Sequence, residues 1–296
     1  MEDVLVRAPP RARFPALPAT LFVATFATTA FLGGLAFSLA LLAILVSHEM
    51  GHYVLARRYE VDSSLPYFIP FPFGFGTLGA VIRIRSRLPS RRATLDIGAA
   101  GPIAGFVVAL PLLAWGYAHS EIRALDLSAQ AHGAVAPFGM LLDWLAGRPV
   151  LGGAAGPMSL GDSLITRAVE RLVVGSHPAG TEIFIHPVGL AAWLGLLVTT
   201  LNLMPVGQLD GGHVLYAWLG RRRARAAGGV VSMALLVAGI FLSFNWIVWW
   251  ALVRFFIRLD HPPALVEESL SPGRRAVALL SLAMFLVTFV PVPVSF

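Results

Sequence analysis

The residues best placed to do chemistry are His48-Glu49-Met50-Gly51-His52. On a helix, positions four apart share a face. Both imidazoles can then reach one divalent ion, with Glu49 beside the water that ion would activate. The bland alternative is a chance pattern, two histidines hydrogen-bonded inside a helix bundle. Glu49 argues against it: the residues before it are almost unbroken apolar sequence, where a carboxylate is expensive and normally functional. There is no cysteine, which excludes thiolate ligands, disulfides and a cysteine nucleophile. A catalytic zinc site needs three protein ligands and one open position, so the third must come from His, Asp or Glu. Asp96, Asp210 and His213 are the candidates in apolar surroundings. Asp96 opens a helix and reads as its cap. His213 reads as a buried, hydrogen-bonded histidine, or as a partner behind the ligands or a fourth ligand. Asp210 follows a break at Pro205-Val206-Gly207 and starts a new helix, where Gly211 and Gly212 permit close approach to a neighbour.

The elements that carry these residues belong to a membrane. Of the 296 residues, 57% are hydrophobic and only 13% charged, about half the charge of a soluble domain. The expected fold is an all-α polytopic membrane protein of about seven transmembrane helices, with a small membrane-associated β-strand or hairpin segment. A straight helix over residues 18–59 would be about 60 Å long, roughly twice a bilayer core. The chain must therefore fold back, and Gly33-Gly34 is the expected turn, giving helices near 15–32 and 35–58. Residues 66–87 are broken by prolines and glycines before Ala80-Val81-Ile82-Arg83-Ile84-Arg85 alternates apolar and basic, which is strand periodicity. Further helices are expected near 94–117, 188–203 and 209–219, two within 226–258 divided at 243–246, and one near 275–290. An extramembrane insert fills 118–187, with a surface helix capped by Asp162. One domain is read over 1–296, with its core at 35–220 and C-terminal helices at 226–296.

Every basic residue is arginine, and the net charge is +6. The arginines flank apolar runs rather than forming a stripe, so no nucleic-acid partner is expected. With the N-terminus in the cytoplasm, 18 of the 22 fall on cytoplasmic segments and only Arg123, Arg148, Arg167 and Arg171 fall outside. By the positive-inside rule the protein is an integral, multi-pass membrane protein with the His48 site toward the cytoplasmic side.

The pair of segments, HEMGH and then NLMPVGQLDGG, resembles the site-2 protease family of intramembrane zinc metalloproteases, peptidase family M50. The family pattern places HExxH on one transmembrane helix and NxxPxxxLDG on another. It matches here at His48, Glu49, His52, Asn202, Pro205, Leu209, Asp210 and Gly211. The resemblance covers roughly 35–117 and 187–220. It implies one zinc ion per chain, Asp210 as third ligand, Glu49 as the catalytic acid-base group, and Asn202 facing substrate or the developing oxyanion. A plain alternative for Asn202 is a polar residue bonded to backbone freed near Pro205. The implied substrate is a membrane-anchored protein cut within or next to its transmembrane segment, as in regulated intramembrane proteolysis, with the lipid bilayer as surroundings. Neither a PDZ nor a CBS module is read in the chain. The rival is a non-proteolytic zinc-binding membrane protein, a metal transporter or inactive scaffold. It fits less well, because Glu49 and Asp210 are the only acids inside the spans and suit one fixed site rather than a path.

Overall fold

A computed structural model describes residues 16–124, 145, 159–178, 180–257 and 260–295. The longest element, α1 (Ala16–Arg58), breaks at Gly34, whose φ of 82° lies outside helical space. Such a dihedral suits a residue without Cβ. The two arms fold against each other: the Thr29 and Ser38 hydroxyls are 2.6 Å apart, and Ser38 Oγ donates to the Phe26 carbonyl at 3.3 Å. Nine residues of straight helix would separate Thr29 and Ser38 by about 13 Å. The expected turn is therefore real, and its cause is visible.

After α1 come β1 (Tyr67–Pro70) and β2 (Thr77–Val81), an antiparallel hairpin with a bulge between Phe68 and Pro70. The Thr28 hydroxyl donates to the Gly76 carbonyl at 2.7 Å and ties the hairpin to the first arm of α1. The strand sits earlier than the alternation of residues 80–85 suggested. It ends at Val81, and Ile84 beyond it forms an isolated bridge with Ser63.

Helix α2 (Arg91–Ala118) starts at an N-cap of Ser90, which accepts from Ala93 N. It is the central helix. The second arm of α1 packs along it, as do α4 (Pro187–Asn202) and α5 (Asp210–Leu219). The main core joins Phe37, Leu41, Ile44 and Leu45 of α1 to Ala109 and Leu113 of α2 and to Trp193 and Leu196 of α4. Helix α6 (Arg221–Phe241) follows, then α7 (Asn245–Ala251) with a π-helical turn at Leu252–Phe256, and α8 (Pro272–Thr288). Among the described residues, three helices are long and apolar enough to cross a membrane: α1, α2 and α6. The other expected spans are shorter, with 16 residues in α4 and 17 in α8. Large apolar side chains point outward, Phe31 at 87% exposure and Val230 at 71% among them. A water-facing protein keeps such surface small.

Most of the expected 118–187 insert lies outside the described residues. Its described ends form β3 (Glu121–Ala124), β4 (Ser159–Leu160), α3 (Leu164–Val173) and β5 (Thr181–Phe184). β3 pairs antiparallel with β5, and β4 with the terminal β6 (Val294–Ser295). The cap of α3 is Ser163, not Asp162 as expected. Ser163 and Thr166 form a reciprocal capping box, and Asp162 pairs instead with Arg167 at 3.4 Å.

Candidate metal centre

The second arm of α1 ends in the turn that carries His48, Glu49 and His52, all under 6% exposed. The two rings stand edge to face with centroids 5.0 Å apart, as positions one helical turn apart require. Asp210 is the first residue of α5. Its Oδ2 lies 3.3 Å from His48 Nε2 and 3.2 Å from His52 Nε2. One ligand atom from each of the three falls within 4.8 Å of the others. Among the described residues this is the one group of three or more His, Asp or Glu side chains so arranged.

The α2 backbone holds this turn in place. His52 Nδ1 donates to the Ile97 carbonyl at 2.7 Å. A carbonyl only accepts, so Nδ1 carries the hydrogen and Nε2 presents its lone pair. Gly51, Gly101 and Gly105 leave the space for this packing, and Gly98 clears His213 of α5. A Cβ on Gly101 would stand 2.0 Å from His52 Nε2, one on Gly105 3.2 Å from His48 Nδ1, and one on Gly51 2.5 Å from the Ala100 carbonyl. The spacing 98, 101, 105 is a helix face, written in the sequence as small residues but readable there only as packing. At α5, Gly211 abuts the Leu203 carbonyl and Gly212 the Gly207 carbonyl, which presses the Asp210 end of the helix onto the preceding turn.

Glu49 does not join the three ligand atoms. Ile82 lines the same cavity as Glu49, so the chain just beyond β2 reaches over this turn. Asn202, the last residue of α4, has Nδ2 3.3 Å from His48 Nε2. A cavity of about 200 Å³ is lined by His48, Glu49, His52, Asn202 and Asp210, and by Ala80, Val81, Ile82 and Ile84 from the hairpin side. The structure thus brings every expected site residue into one cavity.

Neither of the other two candidates for third ligand joins the three ligand atoms. Asp96 neither caps α2 nor faces the metal turn. Its carboxylate receives Arg274 Nη2 at 2.7 Å and Nε at 3.0 Å, together with the Tyr59 hydroxyl. It joins the end of α1 to the start of α8. His213 lines the cavity, but its Nδ1 engages His261. Arg91 Nε and Nη2 donate to the Ala217 and Trp218 carbonyls at 3.0 and 3.1 Å, closing the C-terminal end of α5. The segment 264–268 runs alongside: Leu265 N and Val266 N donate to the Leu88 and Pro89 carbonyls, and Arg92 pairs with Glu268. No sequence signal announces these long-range partners.

Two imidazole nitrogens and one carboxylate oxygen, converging in a glycine-built recess with one tautomer fixed from behind, fit a divalent ion such as zinc and leave a fourth position open. Fold and site together define a helical membrane-protein class with a metal-binding cluster between helices. The comparisons are specific. The model of "Peptidase family M50" matches residues 36–245, and the chain belongs to that family. The chain is 28% identical over 258 residues to "Probable zinc metalloprotease EGY2, chloroplastic" of Oryza sativa subsp. indica, covering 86% of this chain and 42% of that protein. It is 32% identical over 251 residues to "Probable zinc metalloprotease EGY1, chloroplastic" of Oryza sativa subsp. japonica, covering 84% and 39%. The Arabidopsis thaliana protein of the same name as the latter is 31% identical over 255 residues, covering 85% and 42%. The chain therefore spans about two fifths of the length of the curated relatives it matches.

Proposed function

We propose that this chain is a membrane-embedded zinc endopeptidase that hydrolyses peptide bonds within or next to transmembrane segments of membrane-anchored proteins. The observation that carries this reading is the meeting of His48, His52 and Asp210 in one cavity with Glu49 beside them and an extended backbone edge along its wall. His48 Nε2, His52 Nε2 and Asp210 Oδ2 would hold one zinc ion. Bound there, the metal supplies a Lewis acid and a water acidic enough to lose its proton near neutral pH. Glu49 would take a proton from the attacking water at its carboxylate and return it to the leaving amine. The Asn202 amide donates toward the oxygen that gains charge.

A transmembrane helix must unwind before its backbone can be cut. The edge at 80–84 suits an unwound segment. Ile84 bridges Ser63 through its neighbours, with Ser64 N donating to the Arg83 carbonyl and Arg85 N to the Asp62 carbonyl. The Ile84 N–H is thereby turned away from residues 62–64, and Ile84 lines the cavity. An added substrate strand would find donors and acceptors there.

The same reading holds the chain to be one membrane-embedded unit within 1–296, with about seven spans, its N-terminus in the cytoplasm and the site toward that face. The fold-back of α1 and the outward apolar side chains of α6 and α8 support it. The test is full-length protein in lipid nanodiscs, assayed for bound zinc and for cleavage of a dye-labelled single-span peptide. The expected result is zinc near one per chain in both wild type and Glu49→Gln, with cleavage in wild type only. Zinc-dependent cleavage by Glu49→Gln at the wild-type rate overturns the role of Glu49. Zinc flux across vesicles without cleavage points to a transporter instead.

A further inference from the structure

Beside the metal cluster, a second histidine pair links the cavity to the segment before α8. His261 is 4% exposed and lies flat on Tyr216, ring centroids 4.2 Å apart and planes 9° apart. The Tyr216 hydroxyl donates to Glu267 and accepts from Ala264 N, which bolts the segment to α5. His261 Nδ1 meets the Pro262 carbonyl at 2.6 Å, and His261 Nε2 meets His213 Nδ1 at 2.5 Å. The Pro262 oxygen only accepts, so His261 Nδ1 carries a hydrogen. Burial lowers the pKa of His261 below the usual imidazole range, so the ring is neutral and its Nε2 accepts. His213 Nδ1 must then donate, which leaves His213 Nε2 as an unprotonated acceptor. Nothing among the described residues hydrogen-bonds that atom, and it is not one of the buried unpartnered atoms. His213 lines the metal cavity, so the free nitrogen opens into it.

A strand added to one edge pairs only half of its N–H groups. The others point away from that edge, and in a water-poor cavity each needs an acceptor. The ligand atoms would be occupied by metal and Glu49 by the reaction. We propose that His213 is a substrate-positioning residue: its Nε2 accepts a backbone N–H of the unwound substrate, and His261 fixes the tautomer that makes it an acceptor. This rests on the endopeptidase reading given above.

The test uses zinc-loaded full-length protein in nanodiscs, with a fluorescein-labelled single-span peptide as probe. Binding is read by anisotropy in the Glu49→Gln background, which holds the peptide uncut, and KM and kcat are read with Glu49 intact. His213→Asn keeps a donor at the Nδ1 position and removes the acceptor at Nε2. His213→Gln puts an amide oxygen where Nε2 stood. The expected loss for His213→Asn is about tenfold in peptide affinity, matched by a rise in KM, with kcat, zinc content and melting temperature near wild type. His213→Gln returns affinity to within about threefold. His261→Phe weakens binding on its own and adds nothing to His213→Gln, because the tautomer no longer matters. Wild-type binding by His213→Asn, or His213→Gln no better than His213→Asn, overturns the proposal. If His213→Asn fails to fold, the His261→Phe and His213→Gln pair decides: additive losses overturn it. Probe bound in the predicted order but never cut refutes the endopeptidase reading and leaves the role of His213 intact. No binding by any form refutes both.

Discussion

Replacing Gly101 by Ala should damage metal binding more than folding. A Cβ at 101 stands 2.0 Å from His52 Nε2, and two further ring atoms lie within 2.5 Å. Ordinary contact begins at 3.4 Å, so helix or ring must give way by about 1.4 Å. The ring is not free to swing, because its Nδ1 is held on the Ile97 carbonyl at 2.7 Å. Either that bond breaks or α1 and α2 separate. Overpacking of this size costs about 1–3 kcal/mol, partly offset by the roughly 1 kcal/mol that Ala gains over Gly in a helix. Net stability therefore falls by about 0–2 kcal/mol. Metal sites tolerate ligand errors of only about 0.2 Å, and disturbing the groups behind a ligand typically costs 10–100-fold in affinity. Zinc affinity should fall about 10–100-fold, or roughly 1.4–2.7 kcal/mol. Competition with a chromophoric chelator on purified protein reads this directly. Gly105→Ala, whose Cβ meets His48 Nδ1 at 3.2 Å, should lose less than Gly101→Ala, and Gly229→Ala, which meets nothing within 4 Å, should lose nothing. Equal zinc affinity across the three variants would refute the claim that α2 shapes the site.

Ile84→Pro removes an N–H that pairs with nothing among the described residues, so it should leave melting temperature and zinc content intact while lowering cleavage of the single-span peptide about tenfold. Full activity in a folded variant argues against strand addition. Arg274→Met strips Asp96 of its bidentate partner. The pair is partly exposed, at 31% and 20%, so the expected loss is about 1–3 kcal/mol, below the 3–5 of a fully buried pair. A thermal melt in detergent checks it, and Asp96→Asn added to Arg274→Met should recover part of the loss. His261, buried and depressed below its ordinary value of 6.5, resists protonation that the unfolded chain accepts. Its contribution is complete above pH 6.5 and lost as pH falls below it. Melting temperature should therefore drop between pH 7 and 5 in wild type, and less steeply in His261→Phe.

The turn that carries His48, Glu49 and His52 was legible because its information is local. Two imidazoles four residues apart, an acid in apolar sequence and a glycine pair ahead of Phe37 each declare themselves within one helical turn. The fold-back at Gly34 was legible because an unbroken α1 would overrun any bilayer. What escaped was set by distant chain. Asp96 looks like a cap until Arg274, 178 residues on, arrives to claim it. Asp162 looks like a cap until the hydroxyls of Ser163 and Thr166 are seen closing the box between them. His261 gives no hint that it faces His213. The strand at 77–81 was misplaced by a few residues because Gly76 and Gly79 conceal its start, while the alternation at 80–85 persists in chain that only bridges Ser63. The glycine face at 98, 101 and 105 was visible as small residues, but what it packs against, His213, His52 and His48 in turn, depends on helices that periodicity alone could not dock.

Helix α5 has a mechanical consequence. It is a strut about 15 Å long, bearing Asp210 at one end and gripped at the other by the Arg91 guanidinium on two of its last carbonyls. A tug from α6 is met at that grip, seven and eight residues short of the ligand, and passes into α2 rather than along the strut. Asp210 on α5 and the histidines seated on α2 are thus tied to one helix, and a displacement of α2 carries both halves of the cluster with it.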